Sequence, residues 1–155
     1  MAASQSDLAA LSRELGQPVY WGGPMPGTSL ELTVTGSRNT YVRYLTGGAR
    51  VGDPSPEFPT IGTYPVLNAY RDLQSYARSQ HADTRRIAHR GLAMVVPGSP
   101  TSVFFAYPRQ EFQVEVYDAR QGRALDLVTS GAIKPVVLGA GSVAPGVQQV
   151  TPKAG

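Results

Sequence analysis

The chain has 155 residues, of which 41% are hydrophobic and 16% charged; that is enough for one domain with a real core and too little to expect two. A formal charge of +3 is too mild for a dedicated nucleic-acid binder, which needs a dense Lys/Arg stripe. The lack of cysteine excludes disulfides, thiolate metal sites and a cysteine nucleophile.

Residues 4–15 are expected to form a short helix. Ser4 and Asp7 stand at capping-box spacing, Leu8, Leu11 and Leu15 share a face, and Gly16 suits the C-cap. Gln17 to Trp21 reads as a short strand, held to a strand start or edge by Pro18. A Gly/Pro turn over 22–27 then leads into the clearest element of the chain, a hairpin over 29–45. Leu30, Leu32 and Val34 alternate with Glu31, Thr33 and Thr35, Gly36 to Asn39 supply the reversal, and the return is rich in Tyr and Val.

Residues 46–57 carry Gly47, Gly48, Gly52, Pro54 and Pro56 and read as a loop, long enough in a compact domain to expect a role. A strand over Thr60 to Tyr64 precedes a helix expected from Pro65 to Ser79, with Val66, Tyr70, Leu73 and Ala77 as its buried stripe and Tyr76 at the margin. A second hairpin is expected over Thr84 to Arg90 and Leu92 to Val96. A third, the most aromatic, pairs Thr101 to Tyr107 with Phe112 to Tyr117. Asp118 is placed to cap a last helix ending near Ser130, with Gly131 behind it.

These elements give an α+β domain over 1–135: an antiparallel sheet of six to eight strands with two or three helices packed mainly on one face. Residues 136–155, rich in Gly, Ala, Val and Pro without a period, read as tail or linker. Thr28-Ser29 recurs as Thr101-Ser102, and Tyr41 to Leu45 lies over Gln113 to Tyr117 at nearly the same offset. A duplicated unit of three strands and a helix would produce this pattern, although the identities are few.

Sites are sparsely marked. The two histidines, His81 and His89, have only Asp83 nearby as a metal-ligand companion, so neither a metal nor any other cofactor is expected. No Gly-x-Ser-x-Gly elbow and no phosphate-cradling glycine loop occurs, and the acidic residues are scattered. No catalytic residue can be named; a hydrolase triad assembled only in space is the one enzymatic alternative.

Arg71, Arg78, Arg85, Arg86 and Arg90 against Asp72 and Asp83 hold as much net positive charge as the whole chain. Arg85, Arg86, His89 and Arg90 on one sheet face would bind an anionic ligand or polymer. The plainer reading, and the preferred one, is that arginines on an edge strand keep it from pairing with other chains. All but two of the 14 basic residues are Arg, the exceptions being Lys134 and Lys153, a usage that G+C-rich coding explains without function.

Tyr20-Trp21 offers a stacking surface only if one of the two faces outward, since strand neighbours point to opposite sides. By the same rule Phe104 and Phe105 cannot both enter one core. One of them belongs under a helix, in a second small core or in a subunit contact. Tyr20 and Phe104 are therefore the candidate partner-binding residues.

Gly16 to Trp21, Tyr41 to Leu45, Gly62 to Pro65, Thr101 to Tyr107 and Gln113 to Asp118 together resemble an uncharacterised family of bacterial domains from G+C-rich Gram-positive species. Those domains often follow a membrane anchor or export signal. The resemblance covers about residues 8–135, brings no catalytic residues and implies an extracytoplasmic placement. No apolar run here reaches the ~20 residues of a membrane span, and the N-terminus lacks the profile of a signal peptide. The sequence thus leads to a non-enzymatic extracytoplasmic domain that binds a protein partner or itself, with an Arg-based anion binder as the alternative.

Overall fold

The computed structural model describes residues 1–137. Ten strands and three α-helices follow in the order β1 (Ala2–Ala3), α1 (Gln5–Leu15), β2 (Tyr20–Trp21), β3 (Ser29–Val34), β4 (Thr40–Leu45), β5 (Thr60–Pro65), α2 (Ala69–Ser79), β6 (Thr84–Ile87), β7 (Gly91–Val96), β8 (Ser99–Ala106), β9 (Phe112–Tyr117), α3 (Arg123–Thr129) and β10 (Lys134–Pro135). Eight of the strands form one antiparallel sheet in the order β1-β3-β4-β5-β9-β8-β7-β6, while β2 and β10 pair separately. The fold is α+β, as the alternation of apolar and polar residues implies.

Most local expectations correspond to elements. Helix α1 opens on a full capping box, with Asp7 accepting from the Ser4 amide at 2.7 Å, and closes on Gly16 in the left-handed region. The hairpin β3–β4 runs in register from Ser29↔Leu45 to Val34↔Thr40. Several boundaries differ: β6 ends at Ile87, short of the expected Arg90, where a 3-10 turn takes over, and elsewhere either a longer-range pairing or, at Asp118, a contact two residues away outcompetes the expected local signal. Tyr64 and Pro65 stay paired with Gln113 and Phe112, and Val66 donates to Glu111 O, so α2 begins four residues after the favourable Pro65. Asp118, expected to cap α3, is buried, and its two oxygens take the amide and guanidinium of Arg120; α3 instead starts after Gly122 at φ 80°. Near the end of the described chain, Lys134–Pro135 pairs with β2, and Val136 donates to Val19 O at 2.8 Å and is buried. The rest of the expected tail, 138–155, lies outside the described residues.

The sheet carries two cores. On one face, α1, α3 and the β2 segment cover a continuous cluster that includes Leu8, Val42, Tyr44, Ile61, Phe105 and Val114. The buried Tyr44 hydroxyl accepts from the Gly22 amide and donates to Gly23 O, fixing the Gly/Pro turn against the sheet. On the opposite face, α2 packs over β7, β8 and β9 around a smaller cluster of Ala69, Leu73, Ala77, Met94 and Ala106. Phe105 belongs to the first core and Phe104 packs against the second. Of the three places foreseen for the second phenylalanine, the small core beneath a helix is the one it takes.

Candidate functional site

The α2 face is where polar and aromatic chemistry gathers. Alternation places Glu31 of β3, Tyr41 and Arg43 of β4, Gly62 and Tyr64 of β5, Glu115 of β9, Phe104 of β8, and Thr84 and Arg86 of β6 on this one side. At its β3–β4 end the loop over 46–58 folds down onto the sheet. Glu31 there accepts from Arg43 Nη1 at 2.6 Å and from the Gly52 amide at 2.5 Å, while Arg43 Nη2 reaches Asp53 O and its guanidinium lies 5.2 Å from the Phe58 ring centre. Glu31 is in consequence 4% exposed, although it stands on the outward side of the hairpin.

Next to this clamp runs a row of aromatic rings. Tyr41 meets Tyr64 edge-on at 5.7 Å, and Tyr64 stacks on Phe104 at 6.1 Å. Tyr64 lies flat across Gly62, where a Cβ would come within 2.7 Å of its hydroxyl oxygen. That hydroxyl donates to Glu115 Oε2 at 2.8 Å, and burial followed by the Glu115 carboxylate pushes its pKa well up.

Helix α2 has a depression along each flank. One, of about 450 Å³, is lined by Asp72, Leu73, Tyr76, Met94, Phe104 and Gln113. It is largely apolar, and Tyr76 at its rim is 49% exposed. The other, of about 610 Å³, opens between α2 and β6, where Gln74, Arg78, His81, Thr84 and Arg86 surround a floor that includes Ala77 and Leu92.

Arg85 and Arg86 are strand neighbours and point to opposite faces: Arg85 pairs with Asp83, whereas Arg86 turns towards α2 and donates to the Tyr70 hydroxyl at 2.9 Å. His89 and Arg90 sit in a single 3-10 turn between β6 and β7, both at positive φ, with His89 edge-on to Tyr107. The four thus form no common face, and Arg86 lines the larger depression beside α2 together with Arg78 and His81. The i, i+4 spacing of Gln74 and Arg78, with His81 a turn further on, was the available signal for that flank.

Tyr20, expected at a partner surface, is 4% exposed, because β2 is pressed between the sheet and β10; its ring meets Phe105 edge-on and its amide donates to Thr63 Oγ1. Trp21 is buried as well. Phe104 keeps partial exposure on the floor of the apolar depression.

No family model, curated protein or solved structure matches this chain. Its chemistry has to be read from these side chains alone. Among the described residues no three His, Asp or Glu side chains gather as metal ligands would, and the cavity beside His81 has no Ser, Asp or Glu in its lining. What the α2 face does offer is a half-exposed tyrosine over an apolar hollow on one flank and, on the other, two arginines without an ion pair among the described residues.

Proposed function

We propose that the chain is a non-enzymatic interaction domain acting outside the cytoplasm, which holds a protein partner or a second copy of itself against the Tyr76 flank of α2. The observation that carries this reading is the 450 Å³ apolar hollow with Tyr76 half exposed at its rim and Phe104, Met94 and Leu73 inside. Aromatic residues and Met are enriched where protein interfaces bury their anchors. A hollow of this size admits one or two apolar side chains of a partner, and the Tyr41–Tyr64 row extends the contact surface beyond it. Edge-to-edge sheet pairing is a poorer route, because β6 presents Arg85 and Arg86 and β1 is only two residues long. The extracytoplasmic placement rests on the resemblance to anchored or exported bacterial domains.

Light scattering over a concentration series tests self-association. The mass of the wild type is expected to rise with concentration, and Tyr76→Asp to remain monomeric with unchanged circular dichroism. A monomer at every concentration removes the second copy as occupant. Identical retention of extract proteins by the wild type and by Tyr76→Asp would then remove the partner as well.

A further inference from the structure

The larger depression, on the other flank of α2, is independent of the Tyr76 surface and has a different character. Its lining includes two arginines and a histidine and no acidic residue. The acids nearest in sequence are both directed elsewhere. Asp72 lines the apolar hollow on the far side of the helix, and Asp83 is engaged by Arg85. Arg78 and Arg86 make no ion pair among the described residues. Arg78 has an ordinary structural reason for its place, since a cation in the last turn of a helix complements the carbonyl end of the dipole. Arg86 guards the edge of the sheet from β6, but its guanidinium turns inward from that facing strand, is steadied by the Tyr70 hydroxyl and meets no carboxylate among the described residues. Two guanidiniums from different elements, converging on a hollow with Gln74 and Thr84 as further hydrogen-bonding groups and Ala77 and Leu92 as apolar floor, match a tetrahedral oxyanion carried on a small apolar body.

We infer that the cavity between α2 and β6 is a binding site for a small phosphate or sulfate monoester, held by Arg78 and Arg86 with its organic part on Ala77 and Leu92. The probes are phenyl phosphate, phenyl sulfate and inorganic phosphate, titrated at low ionic strength and followed by amide chemical shifts. Phenyl phosphate or phenyl sulfate is expected to give saturable shifts in residues 74–86 and to bind more tightly than inorganic phosphate. Affinity is expected to fall by about tenfold or more in Arg86→Ala and to weaken with added salt. Arg86→Lys is expected to recover only part of it, because a point charge replaces a planar fork. Arg85→Ala, on the opposite face, is expected to bind as the wild type does. Absence of saturable shifts in this segment overturns the assignment, as does equal weakening by Arg85→Ala and Arg86→Ala, which would indicate general charge attraction. Retention of folded circular dichroism in each variant separates lost binding from lost structure.

Discussion

Glu31 shows how one residue ties a long loop to the sheet. Burial by itself pushes its carboxyl up, but the Gly52 amide, the Arg43 hydrogen bond, the Arg43 charge and the amino terminus together hold it below the ordinary value of 4.5. A carboxylate whose pKa is lowered on folding stabilises the fold above its unfolded value, and that contribution is lost as pH falls through the folded one. Unfolding followed at decreasing pH should therefore show an acid limb that is shallower in Glu31→Gln. The same substitution should cost about 3 kcal/mol at neutral pH in a denaturant titration, the lower end for breaking a buried pair because Arg43 keeps solvent contact and other partners. Equal acid sensitivity in both proteins would show that the clamp adds nothing. In the sequence Glu31 looks like any outward residue of a hairpin, since the loop that buries it lies far along the chain.

At the scale of elements, the segment after α3 gives the sharpest prediction. Ile133 and Val136 are buried, and Lys134–Pro135 closes over β2, so this short stretch completes the main core. Ile133→Ala should lower stability by about 2–4 kcal/mol, as a large-to-small change in a packed interior does. A loss within experimental error would mean that residues 133–136 are loosely held. Local reading found the hairpins and the stripe of α2 because each is specified by residues adjacent in the chain. It placed the start of α2 at Pro65 and the cap of α3 at Asp118, since propensity weighs a residue without knowing its partner. Pro65 is held by the distant Phe112, whereas the Asp118 carboxylate is taken by Arg120 two residues on, so a tertiary pairing wins in the first case and a competing local contact in the second.

For the molecule as a whole, β3-β4-β5 and β7-β8-β9 are two meanders that meet through the central pair β5–β9, and each is followed by a helix. That much fits a duplicated unit. The strand correspondence, however, is shifted by one from the residue matches: those set β3 over β8 and β4 over β9, whereas the meanders equate β3 with β7 and β4 with β8. The helices also break the symmetry, because α2 and α3 lie on opposite faces of the second meander. The small core beneath α2 has only Leu73 and Met94 as large buried side chains, so α2 should open before the sheet does. Hydrogen exchange should find its amides less protected than those of β5 and β9. Leu73→Ala should speed exchange in α2 by about tenfold or more and leave β5 unchanged. Uniform exchange across both would make the two cores one cooperative unit.

The sequence alone determined the α+β class, the three hairpins and the need for Phe104 and Phe105 to occupy different sides, because alternation reports which neighbours share a face. Only the tertiary structure decided that Tyr20 is interior and that Arg78, His81 and Arg86 share one hollow. Those outcomes depend on which distant segment covers each face, a matter settled by strand pairing and helix packing between residues far apart in the chain.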